Sequence, residues 1–266
     1  MTTIERPAGA PSQTVQVCGA DVAFERAGNG PPLLVLPRDN GHAPRSEFID
    51  GLANTNTVYY PWLPGFHNGG PEAWEWLTNI RDLAMVQRQF LGALGLERVT
   101  VVGLGFGGWL AAEMAAMGPE RLEKLVLVGP MGIQPKNDYI MDQFIVSTEN
   151  YARSAFSEDA AFDAIYDEEP DFEQLESWET DREMASRVAW KPYMYDPTLP
   201  RLLAGVPTPT LIVVGADDRI VPPECGELYR SALPNARLET INNCGHAVDL
   251  EQPALLASKV GAFLRS

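Results

Sequence analysis

Val99-Thr100-Val101-Val102-Gly103-Leu104-Gly105-Phe106-Gly107-Gly108-Trp109 is the stretch on which the reading of this chain turns. The β-branched run is too short for a helix and suits a strand buried on both faces. The glycines allow a tight turn, and the Ala-rich segment Phe106 to Met117 reads as a helix. The same alternation extends outward. On the N-terminal side, Thr14 to Val17 and Asp21 to Arg26 form a hairpin around Gly19-Ala20, and Pro32 to Leu36 and Thr57 to Tyr60 are strands. Ile80, Leu83, Val86, Phe90, Leu91 and Leu94 lie at helical spacing within a helix predicted from Glu72 to Leu94, with Gly95 as its C-terminal cap. On the C-terminal side come strands at Leu125 to Val128, Pro209 to Val214 and Arg237 to Ile241, and helices at Glu224 to Leu233 and Pro253 to Leu264. Alternating strands and helices call for a mostly parallel sheet covered by helices. The alternation pauses between Pro130 and Pro209, where Phe144, Tyr151, Phe156, Phe162, Leu175, Trp178, Met184, Trp190 and Tyr193 keep helical spacing and no strand run occurs. The division expected is a core of residues 1–130 and 205–266 with a helical insertion at 131–204.

Bulk properties narrow the function. With 266 residues, 45% hydrophobic and 21% charged, the chain can bury a large core in one α/β domain. Its apolar runs fall well short of the roughly 20 residues of a membrane span, and its first fifteen residues lack the pattern of a secretory signal. A soluble, cytoplasmic protein without membrane contact is expected. Cys18, Cys225 and Cys244 are odd in number and far apart, which argues for free thiols rather than disulfides or a zinc site, so no metal is expected. The net charge is −16, and residues 132 to 200 hold 16 acidic against 5 basic side chains. Phosphate binding runs on Lys and Arg, so nucleic acid is excluded as a partner. The acidic stretch Asp163 to Glu183 reads as a solvated helical face that would also repel anions from a nearby site mouth.

Three motifs in order resemble the α/β-hydrolase family across the whole chain. The first is Gly103-Leu104-Gly105-Phe106-Gly107-Gly108, similar to that family's nucleophile elbow Gly-x-Ser-x-Gly-Gly, with glycine at the serine position. The second is Gly215-Ala216-Asp217-Asp218-Arg219-Ile220-Val221-Pro222, which is similar to the turn carrying the family's acid. The third is Asn243-Cys244-Gly245-His246 with Glu251-Gln252-Pro253 downstream, which looks like the histidine loop. The resemblance implies an α/β-hydrolase fold with an inserted helical cap, His246 as base and Asp218 as the carboxylate that orients it, with adjacent Asp217 as the alternative. Gly105 marks the nucleophile position. Oxyanion donors would come from the backbone of Phe106 and from the loop Pro37-Arg38-Asp39-Asn40-Gly41-His42, where Asp39 holds that role and Pro37-Arg38 replace the family's His-Gly start. His42, His67 in Pro64-Gly65-Phe66-His67, and Trp190 in Ala189-Trp190-Lys191-Pro192-Tyr193-Met194-Tyr195 are placed around the pocket, although a structural or solvent-facing role fits the two histidines better. Cys244, at a strand end, reads as a packing cysteine rather than a substitute nucleophile.

Glycine at 105 suits a strained turn but cannot form an acyl-enzyme. Three functions are then open. The His246–Asp218 pair could work as a general base on water or an acidic substrate, giving cofactor-free chemistry on a small hydrophobic ester or activated C–C bond. The chain could be a serine hydrolase inactivated by glycine at 105. It could also be a non-catalytic pseudo-hydrolase that binds a small ligand, although a retained acid–base pair argues against that. Gly103-x-Gly105-x-x-Gly108 matches a dinucleotide fingerprint in spacing, but its mid-chain place and the later motifs fit the hydrolase better. No cofactor is expected; a small-molecule substrate or ligand is, and self-association into a homo-oligomer stays open.

Overall fold

An eight-stranded sheet organises the computed structural model, which describes residues 13–41, 47–66 and 71–266. In chain order the strands are β1 (Gln13–Val17), β2 (Ala20–Ala27), β3 (Pro32–Leu36), β4 (Thr57–Pro61), β5 (Val99–Leu104), β6 (Leu122–Val128), β7 (Thr210–Gly215) and β8 (Ala236–Ile241). They lie in the order β1-β2-β4-β3-β5-β6-β7-β8. β2 runs antiparallel to β1 and β4, and every pairing from β4 to β8 is parallel. The α/β-hydrolase fold is therefore present.

Side-chain alternation sorts the strand residues between two cores. Leu33 and Val35, with Val102, Val126 and Val213, pack under α1 (Glu47–Ala53) and the C-terminal helix, through Phe48, Leu52, Leu256 and Phe263. Leu34 and Leu36, with Val101, Leu127 and Ile212, face α2 (Ile80–Ala93), α3 (Phe106–Met117) and α8 (Glu224–Ala232), through Phe90, Leu110 and Tyr229. Coverage of both faces is why these strands read as unbroken apolar runs. α3 comes so close to the sheet that a Cβ on Gly107 would stand 2.3 Å from the Leu36 carbonyl oxygen.

Between β6 and β7 the chain forms α4 (Thr148–Ser154), α5 (Asp159–Tyr166), α6 (Phe172–Ala189) and α7 (Leu199–Leu203). Phe156, Phe162, Tyr166 and Trp178 form a ring cluster there, with centroid separations from 5.2 to 6.2 Å. The end of this segment is tied to the core by Arg81, whose guanidinium meets Asp196 at 2.6 Å and Glu113 at 3.2 Å, while Trp109 Nε1 donates to Glu113 at 3.1 Å. Burial raises the Glu113 carboxyl above its ordinary range, against the pull of Arg81.

Two expectations need correction. The helix predicted from Glu72 begins at Ile80, because the Asn79 side chain accepts from Asp82 N and caps it; Pro71–Trp74 is a separate 3-10 turn. The short helices α1 and α9 (Val248–Glu251) were not anticipated. α10 (Pro253–Arg265) starts on its proline as expected. Among the described residues no helix is long and apolar enough to cross a membrane.

Candidate active site

The carboxyl ends of β3, β5, β6, β7 and β8 meet at one edge of the sheet, where an α/β fold places its ligands. Gly105 is the residue between β5 and α3, at φ 52° and ψ −112°. A non-glycine residue in that region is strained by about 1–3 kcal/mol. The turn is fixed on both sides: Gly105 N donates to Val128 O at 2.8 Å, and Gly105 O accepts from Gly108 N at 3.0 Å and Met131 N at 3.2 Å. Phe106 opens α3, so its N–H has no partner within the helix and lies at the positive end of the helix dipole.

Asp218 and His246 come together in the loops after β7 and β8. His246 Nδ1 and Asp218 Oδ2 are 2.8 Å apart, with both side chains buried. Asp218 Oδ1 accepts from Ile220 N at 2.9 Å and Val221 N at 2.8 Å, which fixes the carboxylate and leaves its second oxygen for the ring. Neighbouring Asp217 is exposed, so the alternative partner for His246 points away to solvent. With Nδ1 engaged, the other ring nitrogen is available for proton transfer. That atom, Nε2, is buried and has no hydrogen-bond partner among the described residues. It lies over Gly105: a Cβ built there would stand 2.6 Å from Nε2 and 3.1 Å from Arg38 Cγ. The ring occupies space that a side chain at 105 would need.

The loop after β3 adds a buried polar layer that local sequence did not disclose. Arg38 and Asp39 are 3% and 2% exposed. Arg38 Nη1 pairs with Asp249 of α9, and Tyr166 and Tyr60 flank the guanidinium. Burial works against the arginine's charge, but Asp249 and the two tyrosines outweigh it and hold the group above its ordinary range. Tyr151 of α4 donates to Asp39 Oδ2 at 2.6 Å. Burial holds the Asp39 carboxyl above the ordinary aspartate range, only partly offset by that hydrogen bond and by nearby His246. Asp39 thus brings a carboxyl, as well as a backbone, toward the site. Its partner Tyr151 registered in the sequence only as a helical position of the insertion, and Asp249, the anchor of Arg38, not at all.

His42 and His67 fall outside the described residues. Trp190 is 54% exposed and packs edge-on against Phe144 and Tyr193 at 4.9 and 6.3 Å, on a surface cleft with Val188 and Thr78. Cys244 is buried with Sγ directed at Glu251, and burial pushes its thiol well up, which suits packing and not nucleophilic attack. Among the described residues no group of three His, Cys, Asp or Glu side chains could hold a metal ion.

Sheet order, elbow turn and His–Asp pair together define an α/β-hydrolase architecture, and the chain belongs to the alpha/beta hydrolase family, whose model matches residues 20–259. Its relatives include the 2-hydroxy-6-oxononadienedioate/2-hydroxy-6-oxononatrienedioate hydrolase 2 of Pseudomonas putida, 31% identical over 61% of each chain. A 2-hydroxymuconate semialdehyde hydrolase of the same species is 27% identical over 65% of each chain. The chain therefore matches less than two thirds of the length of these relatives. Among solved structures, a meta-cleavage product hydrolase (CumD) superposes with a TM-score of 0.79 at 21% identity, covering 95% of this chain and 97% of that one. At that identity the likeness concerns the fold.

Proposed function

We propose that this protein is a hydrolase-type enzyme that works without a nucleophilic serine, and that His246, oriented by Asp218, activates a water molecule over Gly105. The reading is carried by one observation: the buried His246 Nε2, without a hydrogen-bond partner among the described residues, stands over Gly105, which has no side chain to fill the space beneath it. Gly105 then takes the place of the family's serine, and the substrate is a small hydrophobic carbonyl compound, an ester or a ketone with an activated C–C bond. The names of the relatives, hydrolases of hydroxy-oxo dienoic acids and a semialdehyde, support a carbonyl substrate.

In this reading the water proton passes to His246 Nε2, the water oxygen bonds to the carbonyl carbon, and the carbonyl π pair moves onto its oxygen. Phe106 N–H, at the start of α3, faces that oxyanion. When the oxyanion collapses, the bond to the leaving group breaks with its electron pair on the departing oxygen or carbon, which takes the proton back from His246. Asp218 stays ionised and supports the imidazolium between the two transfers. Residues 1–130 and 205–266 form the catalytic core, and 131–204 the cap above it, from which Tyr151 reaches Asp39.

The test is turnover of a panel of short aryl esters and conjugated hydroxy-oxo dienoates by the protein and by His246→Ala. The expected result is measurable turnover that falls by about 10²–10⁴-fold in the variant, the usual contribution of a positioned acid–base group. Turnover that survives His246→Ala, or none with any substrate by the protein itself, removes the proposal.

A further inference from the structure

Two buried nitrogens without hydrogen-bond partners among the described residues, His246 Nε2 and Arg38 Nε, belong to side chains that meet over the same glycine. Arg38 Cγ is 3.1 Å from the Cβ position of Gly105, on the approach where His246 Nε2 stands at 2.6 Å, and Nε is two bonds beyond Cγ. With Nδ1 engaged by Asp218, His246 Nε2 presents a lone pair, whereas Arg38 Nε carries an N–H on a permanent cation. The guanidinium is planar and its donors form a rigid fork. With Nη1 held by Asp249 and Tyr166 and Tyr60 alongside, the direction of the Nε–H is fixed too.

A buried cation that keeps one N–H free is not explained by Asp249 alone, because a structural ion pair is most stable with its hydrogen bonds complete.

We propose that Arg38 is the anion-binding residue of the site, its Nε–H receiving the negative charge that forms on the substrate carbonyl oxygen while His246 holds the proton. This rests on the general-base reading above and sharpens it. The substrate is one that reacts through a localised oxyanion or an enolate, and the product acid is held as a carboxylate between Arg38 and the imidazolium.

The experiment uses acetate and acetamide, planar probes of nearly equal shape that differ in charge. Each is titrated into the protein while the His246 ring Cε1–H resonance is followed by NMR, with the signal assigned through His246→Gln. Acetate shifts the resonance saturably, and acetamide at least tenfold more weakly. In the double variant Arg38→Met/Asp249→Leu, which removes both charges so that neither is left buried alone, acetate affinity falls at least tenfold. Equal responses to the two probes, no response to acetate, or undiminished acetate binding in the double variant overturns the proposal. Because no turnover is needed, the two readings separate. Acetate binding through Arg38 without ester hydrolysis leaves the anion site standing and removes the hydrolytic role. His246-dependent turnover with no Arg38-dependent acetate binding does the reverse.

Discussion

Adding one methyl group at Gly105 tests whether the site is built around glycine. Gly105→Ala places a Cβ at φ 52°, where a non-glycine residue is strained by about 1–3 kcal/mol. The new carbon also lies 2.6 Å from His246 Nε2 and 3.1 Å from Arg38 Cγ. Arg38 is pinned by Asp249, so the ring is the part that gives way, and its 2.8 Å contact with Asp218 lengthens. A hydrogen bond to a charged group is worth about 1.5–3 kcal/mol. The sum places Gly105→Ala roughly 2.5–6 kcal/mol below the parent, and at about 2–4 °C per kcal/mol for a chain of this size the melting temperature falls by roughly 5–24 °C. Thermal and urea denaturation measure it, with Gly92→Ala as control. Gly92 is exposed in α2 and a Cβ there meets nothing within 4 Å, so that change stabilises by about 0.5–1 kcal/mol. A Gly105→Ala protein as stable as its parent would refute the placement of the ring over the glycine.

Asp249→Ala leaves the Arg38 charge buried without its partner, and urea midpoints should report a loss of about 3–5 kcal/mol, most of it recovered when Arg38→Met is added. The Asp39 carboxyl is raised in the folded state, so its contribution to stability is complete below the ordinary aspartate value of about 4 and is lost as pH rises through the folded-state value. Relative to Asp39→Asn, which has no such titration, the protein should lose stability as urea midpoints are followed from about pH 4 upward; a pH-independent difference would contradict the burial of that carboxyl. Cys18 is exposed, whereas Cys225 and Cys244 are buried with thiols pushed up, that of Cys225 to about 12. A disulfide reagent at neutral pH should therefore label one thiol in the native protein and three in urea.

The sheet was legible because β3, β5 and β7 are covered on both faces and so carry unbroken apolar runs, and α3 because its Ala-rich segment begins at a glycine turn and ends at Gly118. The start of α2 was misread for a physical reason: Trp74 and Leu77, both buried, sit at helical spacing from Ile80 but belong to a 3-10 turn and the loop after it. α1 has only Phe48, Ile49 and Leu52 to mark it, too few for periodicity to register. At the site, Asp218 and His246 stood out through their surrounding motifs, and the structure brings them together. The layer beside them did not stand out, since Arg38 and Asp249 are 211 residues apart in sequence and Asp39 and Tyr151 are 112 apart. Such pairs are set by the fold and by no local pattern.

Water activation by His246 with no covalent intermediate can be followed by intact-protein mass spectrometry during turnover of an aryl ester, with product release measured in the same quenched samples. Product should form only with His246 present, and the protein mass should stay unmodified at every time point. An acylated protein that forms and decays with turnover would contradict it, because Gly105 has no side chain to carry the acyl group and another residue would then be the nucleophile.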